Sequence, residues 1–273
     1  MSNPHTPLKL GWFSTGGGEG SRGLLLSALT AIESGTLNAV IEFVFCNREL
    51  GEDTGTDAFL ATVSEHGIPV ICFSSTRFAQ DQKSRFRDVR SEYDSEVVTK
   101  LSEFTASTCV LAGYMLIVSP LLSDKYQLLN LHPAKPSGPV GTWKEVIDLL
   151  IDERATESGI MIHLATKNVD QGPVVSYCTF TIRDSDNELL WKKLDIVGSN
   201  LTESKIIKEA RTQIFTLIRS KQLLYERPFF VETLKAFANK RIAQRYEPIP
   251  HPLNLTDEVN KLFELDNMAS RCQ

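Results

Sequence analysis

Three polar residues at the ends of apolar segments have side chains that can stabilise an oxyanion and accept a proton. Asn130 and His132 lie in the run LLNLHPA, residues 128–134, where an apolar segment turns polar. Residues two apart in a β-strand point to the same face, so the amide and the imidazole would share one face. Asp170 follows in the turn VDQGP, whose glycine and proline fix the backbone and aim the carboxylate.

The chemistry that fits this set is direct group transfer. An Asn amide and a protonated His form an oxyanion cradle, while a carboxylate that meets the imidazole raises its pKa and accepts a proton. We therefore expect the hairpin that carries Asp170 to fold over the strand end that carries His132. No serine or cysteine stands in a nucleophile-elbow motif, so the nucleophile would belong to the substrate. The alternative is that Asn130, His132 and Asp170 are ordinary polar residues at strand and turn ends. We expect His163, in the strand that leads to Asp170, to be a core residue or to support the site.

A glycine-rich segment offers a place for an anion. The run GGGEGSRG, residues 16–23, lies between a strand-like and a helix-like segment. Glycine lets backbone N–H groups approach an anion, and a helix N-terminus adds partial positive charge. Ser21 could add a hydroxyl donor, whereas Glu19 would repel a phosphate. The spacing matches neither a P-loop nor a dinucleotide fingerprint, so a bare tight turn remains an alternative.

Alternating strand-like and helix-like segments must position these groups. The strand-like segments are 8–15, 41–47, 68–73, 108–115 and 128–133, and the helix-like segments are 24–35, 56–67 and 84–104. This order predicts an α/β fold with a Rossmann-like, mostly parallel sheet and helices on both faces. Ligands of such sheets bind at the carboxyl ends of the strands, where both the glycine turn and Asn130–His132 lie.

The second half of the chain has a different pattern. Segments 160–166 and 173–182 predict an antiparallel hairpin near the C-terminal edge of the sheet, with helices over 141–159 and most of 187–224. From Tyr225 onward, prolines among charged residues predict an extension over the surface that ends in a short helix near 256–265. We therefore predict a catalytic domain over residues 1–221 and an irregular and helical C-terminal extension over residues 222–273.

Composition excludes several classes of protein. Hydrophobic residues make up 42% and charged residues 23%, as in globular proteins. The net charge is −5 and no long basic run occurs, so we expect no nucleic acid partner. No signal peptide and no apolar run of membrane-spanning length is found, which predicts a cytoplasmic protein without a membrane partner. None of the cysteines forms a CxxC pair, so we expect no metal site.

The ordered set of motifs resembles the formyltransferase family that uses 10-formyltetrahydrofolate, and within it most closely the enzymes that formylate phosphoribosylglycinamide. The likeness covers residues 8–218. The combination is highly specific, although each motif alone is weak. The motifs are, in order, GEGSRGLL, CNRELG, RSEYDSEV, VLAGYMLIVSP, LNLHPA and GIMIHLATKNVDQGP.

This resemblance implies the reaction and the residues that serve it. It implies formyl transfer from 10-formyltetrahydrofolate, as co-substrate, to a phosphorylated primary amine, most closely glycinamide ribonucleotide in purine biosynthesis. A homodimer is compatible with it. The implied catalytic residues are Asn130, His132 and Asp170; the implied folate contacts are Arg90, Met115, Leu116, Ile117 and Val118; the implied acceptor contacts are Gly18, Glu19, Gly20, Ser21, Arg22 and Glu209.

Departures from the family pattern leave the acceptor open. The family usually has Asn where Glu19 and Arg22 stand, although Arg22 can offset the charge of Glu19. It usually has Arg where Leu116 stands. After His-Pro it has a serine and a leucine-rich loop, where this chain has AKPSGPVGTW, and the tail beyond Tyr225 has no counterpart that we can align.

Four alternative functions stand beside formyl transfer to glycinamide ribonucleotide. A deformylase would pass the formyl group to water, but such enzymes usually carry an N-terminal regulatory domain, and here the catalytic domain would begin within about ten residues of Met1. A sugar-nucleotide formyltransferase would bind a nucleotide at the altered turn. A tRNA formyltransferase would need a leucine-proline-rich loop and a basic C-terminal domain. The non-enzyme alternative is an inactive folate-binding paralogue, against which the intact Asn130, His132 and Asp170 argue.

Overall fold

The computed structural model describes residues 6–166, 170–195, 201–242 and 251–271. The chain forms two compact units. The first contains residues 1–131, 162–175 and 233–251, and the second contains residues 132–161, 176–232 and 252–273. The predicted boundary after residue 221 falls inside one helix, Leu201–Ala238. The division into a catalytic domain and an extension therefore remains a proposal.

Parallel strands carry the first unit. They are β1 (Leu8–Ser14), β2 (Ala39–Cys46), β3 (Val70–Cys72), β4 (Thr108–Leu111) and the start of β5 (Gln127–His132). Their order in the sheet is β3-β2-β1-β4-β5, and each neighbouring pair is parallel. All residues of β4 are buried, as expected for a strand covered on both faces. The predicted mostly parallel α/β sheet is confirmed.

The helices of the first unit follow the predicted alternation, with shifted ends. They are α1 (Glu19–Glu33), α2 (Thr54–Glu65), α3 (Ser75–Asp81), α4 (Arg90–Lys100) and α5 (Pro120–Lys125). The prediction of a single helix over 84–104 is wrong, because a short 3₁₀ turn precedes α4 and the chain leaves the helix after Lys100. The predicted start of α1 at residue 24 is also wrong. Glu19 already lies in its first turn, where a carboxylate interacts favourably with the helix dipole.

Aromatic side chains form the core of the first unit. Phe13 of β1 is fully buried, and its ring centroid lies 5.9 Å from that of Phe43 and 5.7 Å from that of Tyr114. Tyr114 and Val118 belong to the same buried cluster, and Leu116 packs against it. Leu116 and Val118 thus anchor the loop after β4 on the core, while Met115 and Ile117 are exposed.

The hairpin forms the antiparallel part of the fold. Strands β6 (Glu157–Leu164) and β7 (Val174–Thr181) are neighbours, and β7 pairs in parallel with β8 (Leu253–Asn254). Near the turn, Leu164 N donates to Pro173 O at 2.9 Å, and at the other end Gly159 lies against the carbonyl of Cys178. Residue numbers rise along β6 as they fall along β7, so this pair is the predicted antiparallel hairpin. Residues 167–169 of its turn lie outside the described residues.

Helices α6 (Trp143–Asp152), α7 (Glu188–Lys192), α8 (Leu201–Ala238) and α9 (Thr256–Arg271) complete the fold. The predicted end of α6 near residue 159 is wrong, because a turn with Arg154 at a φ of 52° leads into β6. The predicted irregular segment from Tyr225 is helical up to Ala238, through Pro228. The free energy gained by burying Phe229 and Phe230 offsets the cost of the backbone hydrogen bond that Pro228 cannot donate. Within the described ranges, no helix has both the length and the apolarity needed to cross a membrane.

Candidate active site

A cavity of about 230 Å³ in the first unit brings together residues that the sequence placed in one site. Its lining comes from the loop after β4, from Asn130 of β5, and from His163, Ala165, Thr166 and Asp170 around the hairpin turn. The lining residues that bear on function are Met115, Leu116, Ile117, Val118, Asn130, His163 and Asp170. The four loop residues expected to contact folate therefore share a cavity with two of the three residues expected to be catalytic.

Hydrogen bonds orient the amide of Asn130 inside this cavity. Its Nδ2 donates to His163 Nε2 at 3.1 Å and to Asp170 Oδ1 at 3.3 Å. His163 Nδ1 lies 3.0 Å from Leu164 O, and a carbonyl only accepts, so Nδ1 carries the proton and Nε2 of the neutral ring accepts. His163 is 1% exposed. The expectation that His163 is a supporting group fits its position, since it fixes which end of the amide faces the carboxylate.

The backbone of Asp170 aims its carboxylate. Asp170 has a φ of 55°, a left-handed conformation that Asp adopts more readily than most residues. Its side chain is 16% exposed, and Oδ1 lies 3.5 Å from His163 Nε2. A carboxylate in this position contacts an amide donor on one side and the open cavity on the other. It can therefore receive a proton from a molecule bound there.

His132 is the last residue of β5 and belongs to the second unit. Its ring is 3% exposed, and Nε2 lies 2.9 Å from Pro139 O. Because a carbonyl only accepts, Nε2 carries a proton and donates to Pro139 O. The expected interaction of His132 with Asp170 stays a prediction.

Two buried side chains that the sequence did not single out fasten the loop of residues 115–118. Thr15 Oγ1 accepts from Met115 N at 2.9 Å, and Asp94 Oδ2 accepts from Ser119 N at 2.7 Å. Thr15 is 3% exposed and Asp94 is 2% exposed. The backbone of the loop is therefore held at both ends, and the loop presents apolar side chains beside the cavity, which suits a partly apolar ligand.

Arg90, expected near the folate, starts α4 and is not among the residues that line the cavity. Its Nε is buried without a hydrogen-bond partner among the described residues. Burial raises the pKa of Asp94, which the hydrogen bond from Ser119 and the charge of Arg90 oppose. Arg90 thus acts on the residue that fastens the loop, and a direct contact with folate stays a prediction.

Removing the acceptor at position 94 is expected to loosen the loop. Asp94→Ala leaves the buried N–H of Ser119 unpaired, which costs about 1–3 kcal/mol of unfolding free energy. Asp94→Asn retains a side-chain oxygen and should cost less. Urea denaturation measures both variants, with Ser95→Ala on the exposed side of α4 as control. Equal stability of Asp94→Ala and wild type would contradict this assignment.

The glycine turn differs in detail from the predicted anion cradle. Gly16 has a φ of 68°, and Gly18 is extended and caps α1. The Ser21 hydroxyl donates to Gly18 O at 2.9 Å, so its proton is already used. Glu19 and Gly20 are exposed and Arg22 is half-buried.

A cation that the sequence analysis did not select lies beside this turn. Arg48 Nη1 donates to Thr56 Oγ1 at 3.3 Å and lies 3.4 Å from Asp53 Oδ1. A Cβ placed on Gly17 would lie 3.2 Å from that same nitrogen. Arg48 follows β2, the parallel neighbour of β1, and this adjacency is the signal that could have identified it.

Glu209, the last predicted acceptor contact, lies on α8 in the second unit. It is exposed, and its nearest described charge is Lys205 Nζ at 3.9 Å. A pair of this kind on a helix surface contributes little to stability. The role predicted for Glu209 therefore has only the loose sequence likeness behind it.

Comparison with known proteins places this site in a family. The family model described as "Formyl transferase" matches residues 18–199, a range that includes the segments carrying Asn130 and Asp170. The phosphoribosylglycinamide formyltransferase of Escherichia coli (strain K12) is 27% identical over 176 residues, which cover 63% of this chain and 73% of that protein.

Two solved structures share the fold. Glycinamide ribonucleotide transformylase 1 from Symbiobacterium toebii has a TM-score of 0.62 at 17% identity, covering 89% of this chain and 92% of that one. A formyltetrahydrofolate deformylase from Pseudomonas syringae pv. tomato str. DC3000 has a TM-score of 0.56 at 17% identity. The match covers 89% of this chain and 65% of that one. At such identities the likeness concerns the fold alone. Together with the family match, it confirms the predicted formyltransferase fold and enzyme class: this chain belongs to the formyl transferase family.

Proposed function

We propose that this protein transfers the formyl group of 10-formyltetrahydrofolate to a primary amine, with glycinamide ribonucleotide as the favoured acceptor. The observation that carries the proposal is the shared cavity. An oriented amide, Asn130, and an aimed carboxylate, Asp170, line the same cavity as an apolar loop fastened at both ends. The Escherichia coli relative described above is named phosphoribosylglycinamide formyltransferase, which supports the choice of acceptor.

In the proposed reaction, the neutral amine attacks the formyl carbon and the formyl oxygen becomes an oxyanion. Asn130 Nδ2 donates to this oxyanion in place of Asp170, because the bond to Asp170 is the longer of its two. The second N–H of the Asn130 amide continues to donate to His163 Nε2. Asp170 accepts the amine proton directly or through water, and the bond from the formyl carbon to the folate N10 breaks as N10 receives a proton.

His132 is proposed to add positive charge beside the oxyanion. It lies two residues after Asn130 on β5, so both side chains project from the same face of that strand. Its Nε2 donates to Pro139 O at 2.9 Å, which fixes the orientation of the ring. Arg90 and the loop of residues 115–118 are proposed to hold the folate, with 10-formyltetrahydrofolate as a co-substrate.

The phosphate of the acceptor is proposed to bind at the glycine turn. Gly18, Gly20 and Ser21 lie at the start of α1, where the first backbone N–H groups have no partner within the helix and the helix dipole favours an anion. Glu19 opposes an anion there, and Arg48 and Arg22 supply the compensating charge. Glu209 is proposed near the acceptor amine.

Removing the charge of Arg48 is expected to weaken binding of a phosphorylated acceptor. For Arg48→Ala we expect KM for glycinamide ribonucleotide to rise about 10-fold with kcat nearly unchanged, since a charge-assisted hydrogen bond contributes about 1.5–3 kcal/mol before solvent screening. Initial rates at varied acceptor concentration measure this change. Arg85→Ala, which removes an exposed arginine paired with Asp88, is the control. An unchanged KM would place the phosphate elsewhere.

Product identification tests the proposed function. The enzyme is incubated with 10-formyltetrahydrofolate labelled with ¹³C in the formyl group, with and without glycinamide ribonucleotide, and the products are analysed by mass spectrometry. The proposal predicts label in the formylated amine. Label that appears only as formate, with or without the amine, would identify a deformylase. Bound folate with no product of either kind would identify an inactive paralogue.

A further inference from the structure

Helix α8 reaches the segment that follows His132. Gln222, midway along α8, is fully buried, and its Nε2 donates to Pro133 O at 3.1 Å. Pro133 is the residue directly after His132 in the second unit. A buried amide donor rarely goes unpaired, so this bond ties the backbone next to His132 to a rigid helix.

The same helix holds the far end of the loop of residues 133–142. Arg219 lies one turn before Gln222, and its guanidinium lies 4.4 Å from the ring centroid of Trp143, the first residue of α6. Its Nη1 also donates to Gln222 Oε1 and to Glu226 Oε1, each at 3.4 Å. Stacking on an indole and two hydrogen bonds leave the guanidinium little freedom.

Pro139, whose carbonyl contacts the His132 ring, lies between the two positions at which α8 contacts this segment, Pro133 and Trp143. Pro139 O accepts from His132 Nε2 at 2.9 Å. The position of this carbonyl depends on the path of residues 133–142, and α8 fixes that path at both ends. This loop contains the segment AKPSGPVGT, which departs from the family pattern, and Gln222 lies in the part of the chain for which the sequence suggested no role.

We infer that Gln222 is a positioning residue that fixes the loop of residues 133–142 and thereby holds the His132 imidazole in the orientation in which its Nε2–H donates to Pro139 O. This inference rests on the catalytic role proposed for His132. Gln222 touches neither substrate nor the reacting atoms. Its effect passes through Pro133 and the loop to Pro139 O.

Gln222 is the residue to change, because Arg219 also neutralises a buried carboxylate. Burial raises the pKa of Glu226, which the charge of Arg219 and the hydrogen bond from it oppose. Removing Arg219 would leave that carboxylate without its partner and destabilise the helix. Gln222→Met, by contrast, keeps length and volume while it deletes the donor to Pro133 O, and Arg219 keeps its hydrogen bond to Glu226 although it loses the one to Gln222 Oε1.

Steady-state kinetics tests the inference. Gln222→Met should lower kcat for formyl transfer about 10-fold, because small displacements of catalytic groups are costly, while KM for 10-formyltetrahydrofolate changes less than about twofold. Tyr225→Phe is the matched control, since it deletes a hydroxyl on the same helix that bonds Asn260 at 3.1 Å. It should leave both constants unchanged. An unchanged kcat in Gln222→Met, or an equal loss in Tyr225→Phe, would overturn the inference.

The protonation site of His132 provides a second readout, independent of turnover. ¹⁵N NMR of ring-labelled protein, assigned with His132→Gln, should show Nε2 of His132 fully protonated in wild type and partly deprotonated in Gln222→Met. Identical His132 signals in the two proteins would overturn the inference even if the proposed function holds. If Gln222→Met does not fold, Gln222→Asn, whose amide is one methylene too short to reach Pro133 O, is measured in the same way. If the wild-type protein itself shows no formyl transfer, that result would instead refute the proposed function.

Discussion

Replacing Asn130 with Ala is expected to lower kcat for formyl transfer by about 10²–10³-fold, the usual effect of removing one oxyanion donor. The amide is the group held by His163 and aimed at Asp170 inside the cavity, and Ala supplies no donor there. Affinity for a non-reactive folate analogue should change little, because the loop of residues 115–118 is fastened by other side chains. Rates at saturating concentrations of both substrates measure the effect.

A control separates catalysis from folding in this variant. Loss of Asn130 leaves His163 Nε2 without its donor, so unfolding free energy should fall by about 1–3 kcal/mol. Thr62→Ala removes a hydroxyl that bonds Ala58 O on the surface of α2, and it should keep wild-type turnover. If Asn130→Ala retained turnover within about twofold of wild type while folded, the oxyanion role would be wrong.

For Asp170→Asn we expect a loss comparable to or larger than that of Asn130→Ala, within the range of about 10²–10⁴-fold typical of a general base. The substitution is isosteric, and the new amide oxygen can still accept from Asn130 Nδ2. The variant should therefore fold and bind folate like wild type, yet have no group that accepts the amine proton. kcat measured across the pH range, with thermal stability in parallel, tests this separation of chemistry from structure.

Asp81→Asn is a fitting control for the carboxylate, because Asp81 is exposed at the end of α3. It should leave turnover unchanged. Near-wild-type turnover of Asp170→Asn would mean that the amine proton leaves by another route.

The sequence predicted those parts of the site that depend on local geometry. Asn130 follows from the two-residue period of a strand, and Asp170 follows from a turn in which glycine and proline fix the backbone. The parallel sheet follows from continuous apolar strands between helices. In each case the information lies within a few residues.

The groups that support the site depend on contacts between distant segments. Asp94 bonds a backbone group 25 residues away, and Thr15 bonds one 100 residues away. No local pattern marks either residue. Arg48 lies beside the glycine turn only because β2 pairs with β1. The helical course of α8 through Pro228 likewise depends on buried side chains, which outweigh local propensity.

A crystal structure with 5,10-dideazatetrahydrofolate, a non-reactive analogue, tests the central claim most directly. We predict the analogue's bicyclic ring against residues 115–118 and its position 10 beside Asn130 and Asp170, so that a formyl group attached at that position would bring its oxygen within about 3 Å of Asn130 Nδ2. An analogue bound away from this cavity, or one whose position 10 is too far from both side chains for a hydrogen bond to reach the formyl group, would contradict the proposed role of the cavity.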